Sequence, residues 1–199
     1  MAVTALILYL VWAFLAFGWR TIDQRRRTGD SGLRLHAQPN TAQWWAKIGF
    51  AIAILVGVAA PLAAVAGLDN ITALDATWLH IAGIAVTLIG VLLTFAAQYS
   101  MGESWRIGVD PEERTELVTA GAFRLVRNPI FTAMLITATG LAMIIPNVIS
   151  ILGLVALFVA LEVQVRLVEE PYLRTVQGAE YRAYAQSTGR FAPGIGRIR

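Results

Sequence analysis

The chain has 199 residues, 57% hydrophobic and 15% charged, with a mean hydropathy of +0.62 and no cysteine. An average soluble domain is about 45–50% apolar and about 25% charged, so this composition excludes an ordinary soluble enzyme and a disordered chain. The absence of cysteine excludes a disulfide scaffold and a zinc–thiolate site.

Asp, Glu, Lys and Arg are missing from residues 1–19, 48–68, 76–102 and 128–161. Roughly 20 apolar residues in a helix cross the ~30 Å hydrocarbon core, so the sequence predicts an all-α polytopic membrane protein. The first stretch, Met1–Trp19, is followed by Arg20 and Arg25-Arg26-Arg27. A cleaved signal peptide has its positive charges before the apolar core, so this segment reads as a retained span with the N-terminus outside. The second span is expected over Lys47–Gly67 and the third over Trp78–Tyr99. As one helix, the last stretch would be about 51 Å long at 1.5 Å per residue, and Pro146-Asn147 interrupts it near the middle. It therefore reads as a short hairpin with arms over 129–145 and 148–168, which makes five transmembrane helices.

Charge placement supports that count. With the N-terminus outside, the inner segments are 20–47, 100–128 and 166–199, and they hold all 16 Lys and Arg. The outer loop Leu68–Thr77 has neither, and carries Asp69 and Asp75. This is the positive-inside pattern, and it places the C-terminus in the cytosol. Trp19, Trp44, Trp45, Trp105 and Trp78 fall at expected boundaries, with only Trp12 mid-span. The net charge of +3 thus reflects topology and anionic-lipid contact, not nucleic-acid binding. Two regions result: residues 1–99 with three spans and a basic cytosolic loop at 20–47, and residues 100–199 with an interface loop, the hairpin and a cytosolic C-terminal helix.

Ionisable residues that the bilayer makes costly are the first functional candidates. Glu162 lies inside the last arm. Glu162, Arg166, Glu169 and Glu170 are spaced so that all four can share one helical face. They read either as a salt-bridge ladder easing the arm into the headgroups or as a carboxylate pair that binds a ligand at the inner interface. Asn128 and Pro129 suit the N-cap and first turn of the fourth span, and a helix N-terminus beside Arg124 and Arg127 attracts anions. Trp105 and Arg106 follow the third span as an interface anchor or a headgroup contact. Tyr181 and Tyr184 sit three apart in the tail, a spacing that also suits plain packing. His36 and His80 have no ligand-spaced partner, and no metal site is expected. Neither a P-loop nor a GxGxxG after a strand occurs.

Taken together, these clusters are more specific. Gly102-x-x-Trp105-Arg106 is followed by Leu117-Val-Thr-x-Gly121-x-Phe123-Arg124-x-Val126-Arg127-Asn128-Pro129-x-Phe131. Then come Arg166-x-x-Glu169-Glu170-x-x-Leu173, Gly178-x-x-Tyr181-x-x-Tyr184 and Arg190-Phe191-x-Pro193. The series resembles the isoprenylcysteine carboxyl methyltransferase family, related to the phospholipid methyltransferases, over residues 100–193. The resemblance implies an integral-membrane enzyme that uses S-adenosylmethionine in a cytosolic-face pocket, with a lipophilic substrate arriving from the bilayer. It also implies that Arg127, Asn128, Pro129, Phe131, Glu169, Glu170, Tyr181, Tyr184 and Arg190 bind the cofactor. Trp105 and Arg106 then meet the substrate headgroup, with Arg106, Glu162 and Arg166 as catalytic candidates. Asn128 and Phe131 stand where the family has His and Tyr; asparagine does not titrate near pH 7, and phenylalanine removes one hydroxyl contact. With no evident base beyond Glu162, an acidic or otherwise already nucleophilic acceptor is favoured. Two other readings remain: an NADPH-dependent membrane sterol-type reductase, and a non-enzymatic ligand-binding membrane subunit.

Overall fold

The computed structural model describes residues 1–34, 36–108 and 117–198. Five helices carry the fold: α1 Ala2–Thr28, α2 Ala42–Val65, α3 Thr77–Ser100, α4 Pro129–Ile144 and α5 Val148–Ser187. Four of them, α1, α2, α3 and α5, are long and apolar enough to cross a membrane. The 16-residue α4 is equally apolar but shorter. Among the described residues the extended pairings are isolated bridges: Leu33 with Ile107, Val126 with Gly189 and Ala192 with Ile195.

The helices meet along rows of small side chains. In lipid, association depends on how closely backbones approach, because tails are as apolar as leucine. Gly83, Thr87, Gly90, Thr94 and Ala97 repeat along α3 and are almost fully buried. Gly83 and Thr87 face Gly140 of α4, and Gly90 faces Thr137. A Cβ on Gly83 would lie 2.7 Å from the Gly140 carbonyl oxygen, and one on Gly90 would lie 2.6 Å from the Thr137 nitrogen. Each threonine hydroxyl returns its hydrogen bond to its own helix, Thr87 to Gly83 at 2.8 Å and Thr137 to Ala133 at 2.9 Å. The seam therefore buries no unpaired hydroxyl donor. A second seam joins α2 to α5 through Ala46, Ala53 and Ala60, with Gly153 and Ala160 opposite.

The helix break falls where Pro146-Asn147 predicts it. Asn147 is fully buried and caps α5, its side chain accepting from the Ser150 N–H at 2.8 Å. Its amide also donates to the Ala60 carbonyl at 3.3 Å, and the Ile71 N–H donates to the Pro146 carbonyl at 2.8 Å. These bonds tie the hairpin tip to the loop after α2. His80 reaches Asp75 at 3.2 Å in that loop.

Helix ends depart from the sequence expectation in two places. The first helix continues past Trp19 to Thr28, because the basic segment is made of good helix formers. It ends at Gly29, whose left-handed φ of 79° closes the C-terminus with an N–H bond to Arg25. The last helix does not stop at 168 but runs to Ser187. Both helices contain a π-helical turn, Phe14–Trp19 in α1 and Val165–Glu169 in α5. Pro171 follows the second one, where the i→i−4 ladder is already interrupted and needs no donor from it. A kink at Gly178 (φ 53°) then redirects the end of α5.

Candidate active site

At the arginine-rich end of the bundle lies a cavity of about 400 Å³, within the range of small-molecule and cofactor sites. All five helices contribute to its wall. Ala16 and Phe17 come from α1, Lys47 and Phe50 from α2, Thr94 and Gln98 from α3, Phe131 and Met134 from α4 with Asn128 just before it, and Leu161, Gln164 and Glu169 from α5. The loop after α3 adds Trp105 and Arg106, and the end of α5 adds Tyr172, Tyr181 and Tyr184. Both π-helical turns deliver residues here, Ala16 and Phe17 from one and Val165 and Glu169 from the other. The first turn is braced by Gln98, whose buried amide donates to the Ala16 carbonyl at 2.7 Å. Such turns gather at functional sites, and here they aim side chains that regular helices would point elsewhere.

The second turn also splits the acidic cluster. The expectation that Glu162, Arg166, Glu169 and Glu170 share one face is corrected: the widened turn shifts the register between them. Arg166 bonds Glu162 on a partly exposed face, and neither lines the cavity. Glu169 faces the cavity and accepts from the Gln164 amide at 3.1 Å. Arg106 lies within Coulombic reach of it. Glu170 is buried and accepts from Arg127 at 2.9 Å and Arg190 at 2.7 Å, with Arg174 at 3.5 Å.

Arg127 and Arg190 are thus committed within the protein. The Arg127 guanidinium also donates to the carbonyls of Ala185, Thr188 and Gly196. One planar fork with five donors serves three stretches of chain at once, which lysine cannot do. The hydrogen bond that Arg190 donates to the Glu170 carboxylate raises the Arg190 pKa, keeping that side chain charged. Arg190 does not line the cavity, whereas Arg127 forms part of its wall. Asn128 occupies the N-cap position of α4, but the expected side-chain cap is absent; its amide donates instead to the Arg190 carbonyl at 3.2 Å. Pro129 takes the first helical position as expected. The tail is stitched to this corner by backbone bonds from Arg127 to Gly189 and from Asn128 to Arg190. Tyr184 donates to the Phe123 carbonyl at 2.6 Å, and its ring meets the buried Tyr181 edge to face.

Trp105 is not an exposed interface anchor: it is 2% exposed. Arg20 of α1 stacks over its ring with 5.0 Å to the centroid and donates to the Gly102 carbonyl at 2.5 Å. From the other side, Gly32 (φ 72°) lets the chain lie against the indole; a Cβ there would come within 2.9 Å of the Trp105 carbonyl oxygen. Ile107 donates to Gly32, and Arg34 donates to Ile107. Asp30 fixes this segment by accepting from the Gly32 N–H and from Arg34, which lowers its pKa to about 2. Lys47 donates to the carbonyls of Arg34 and His36 at 2.6 and 2.7 Å. The segment 109–116 lies outside the described residues, and the expected motif resumes at Leu117 and Val118, which also line the cavity.

A family model for phospholipid methyltransferases matches residues 78–180, from the start of α3 to the kinked end of α5. The chain belongs to the phospholipid methyltransferase family. It is similar to Protein-S-isoprenylcysteine O-methyltransferase A of Arabidopsis thaliana, 28% identical over 118 residues, covering 58% of this chain and 60% of that protein. The B protein of the same plant is 28% identical over 111 residues, covering 55% and 56%. The Nickel-cobalt-cadmium resistance protein NccN of Alcaligenes xylosoxydans xylosoxydans is 26% identical over 126 residues, covering 63% and 56%. The chain spans about three fifths of the length of the curated relatives it matches. The family region holds Trp105, Arg106, Arg127 and the two glutamates, but not Tyr181, Tyr184 or Arg190. It also omits α1 and α2, which supply Phe17, Lys47 and Phe50 to the cavity and Arg20 behind it. Sequence reading passed over these and the buried Gln98 and Gln164. A polar amide inside an otherwise apolar helix is the signal for the last two.

Proposed function

We propose that this protein transfers a methyl group from S-adenosylmethionine to a lipophilic acceptor within the cavity at the cytosolic end of the bundle. The observation that carries the reading is the division of labour between two carboxylates in the wall of a largely apolar cavity. Glu170 is tied to Arg127 and Arg190, whereas Glu169, among the described residues, has no arginine bound to it and accepts from the Gln164 amide. The donor set suits the cofactor: Glu169 with Gln164 for its amino and hydroxyl groups, and the rings of Phe131, Tyr172 and Tyr181 for its flat base. When bound, S-adenosylmethionine supplies an electrophilic methyl group.

The protein's own part is positioning. Arg127 and Glu170, locked together, fix the start of α4 against the end of α5, so the two walls that carry Asn128, Phe131 and Glu169 keep one geometry. Holding reactants in line removes much of the entropic barrier. Arg106 is the cation that neutralises an acidic headgroup, with Trp105 flanking it. The apolar walls from α1 and α2 exclude water. A carboxylate acceptor needs no base, which matches a cavity with no histidine among its described lining residues. Glu162 and Arg166, paired away from the cavity, serve the helix and not the chemistry. The test is calorimetry with S-adenosylhomocysteine on protein in detergent or nanodiscs. Binding that weakens at least ten-fold in Glu169→Gln supports the reading. No binding, alongside tight binding of NADPH, replaces it with the reductase.

A further inference from the structure

We propose that Met134 sets the length of the apolar tail that the site accepts, by dividing the main cavity from a second chamber deeper in the bundle. The second chamber is small, about 40 Å³, and apolar. Its walls come from α1, α2, α4 and α5, four of the helices that line the main cavity, each one or two turns further from the arginine-rich end. On α1 the lining passes from Phe17 to Trp12; on α2 it passes from Phe50 to Gly57; on α5 it passes from Leu161 to Leu157. On α4 a single residue, Met134, lines both.

The two spaces are therefore stacked along the bundle axis, the direction in which a lipid tail runs beside a spanning helix. Met134 is 2% exposed and belongs to the same buried apolar cluster as Leu157 and Leu161, against which Phe17 and Phe50 also pack. Methionine is unbranched and has three rotatable bonds, so it swings aside more easily than leucine or phenylalanine and refills the gap afterwards. Beyond it, the chamber is lined by the small residues Ala53, Gly57 and Gly153 together with Tyr9 and Trp12. A tail that enters from the main cavity meets Met134 as its floor, and a longer tail passes only by displacing it. This inference rests on reading the main cavity as the site of a lipophilic methyl acceptor.

The test uses saturated fatty acids from octanoate to hexadecanoate as probes, with affinity measured by calorimetry on protein in nanodiscs. In the wild type, affinity rises about four-fold per added methylene until the tail reaches Met134, and then levels off. Met134→Ala moves that break to longer chains. Leu157→Ala, which enlarges only the deeper chamber, raises affinity only for chains long enough to pass Met134. S-adenosylhomocysteine binding is measured on each preparation. An unchanged break in Met134→Ala with cofactor-product binding intact overturns the role of Met134 alone, as does a wild type that binds these acids with no dependence on length. A wild type without S-adenosylhomocysteine binding overturns the methyltransferase reading itself.

Discussion

Glu170 accepts hydrogen bonds from Arg127 and Arg190 inside the fold, whereas its neighbour Glu169 turns to the cavity and Gln164. Substituting either glutamate should therefore give opposite results. Removing one partner of a buried ion pair leaves an uncompensated charge and costs about 3–5 kcal/mol. Glu170→Gln should lower the melting temperature in detergent by several degrees and impair binding as a consequence. Glu169→Gln should leave the melting temperature within about a degree and weaken ligand binding directly. Equal melting temperatures for the two variants would remove the distinction. The sequence named both glutamates with Arg106, Arg127, Arg166 and Arg190 as a site and passed over Arg174. It offered no means of separating the residues that bind from those that hold, because an i,i+4 count assumes a regular helix and the π turn at Val165–Glu169 is not one.

At the scale of elements, helix spans were legible because hydropathy and proline report on them directly. The contacts between helices were not, since Gly83, Thr87, Gly90 and Thr94 look like ordinary members of an apolar run until a partner is placed against them. Gly90→Leu should separate α3 from α4; overpacking costs about 1–3 kcal/mol in a soluble core, and contact with backbone atoms puts this substitution at the upper end. Its lower melting temperature in detergent checks this. The loop after α3 makes a second case. Arg20 stacks on Trp105, and the 30–34 segment braces it from outside. Arg20→Met should increase amide exchange over residues 102–108 and raise the KM for a lipophilic acceptor while S-adenosylhomocysteine affinity holds. Rescue by Arg20→Lys should be partial, because an ammonium lacks the second arm that reaches Gly102. Unaltered exchange in Arg20→Met would show that the loop is held by its own backbone bonds.

For the whole molecule, four helices are long and apolar enough to cross a membrane and the 16-residue α4 is shorter; the proposed topology has five crossings with the arginine-rich end in the cytosol. The chain has no cysteine, so single cysteines report sidedness without background. A membrane-impermeant maleimide should label Asp69→Cys in intact cells and Arg182→Cys only after permeabilisation; the opposite pattern would invert the topology. The cavity itself was only half legible. Its C-terminal wall carries motif residues, whereas α1 and α2 contribute through hydrophobic side chains that no motif marks. The central claim is that this cavity binds S-adenosylmethionine through Glu169. Titration of S-adenosylhomocysteine into wild type and Glu169→Gln, matched for melting temperature, tests it most directly. Binding to the wild type and at least a ten-fold loss in the variant are expected; no binding to the wild type, or equal binding to both, would exclude this role for Glu169.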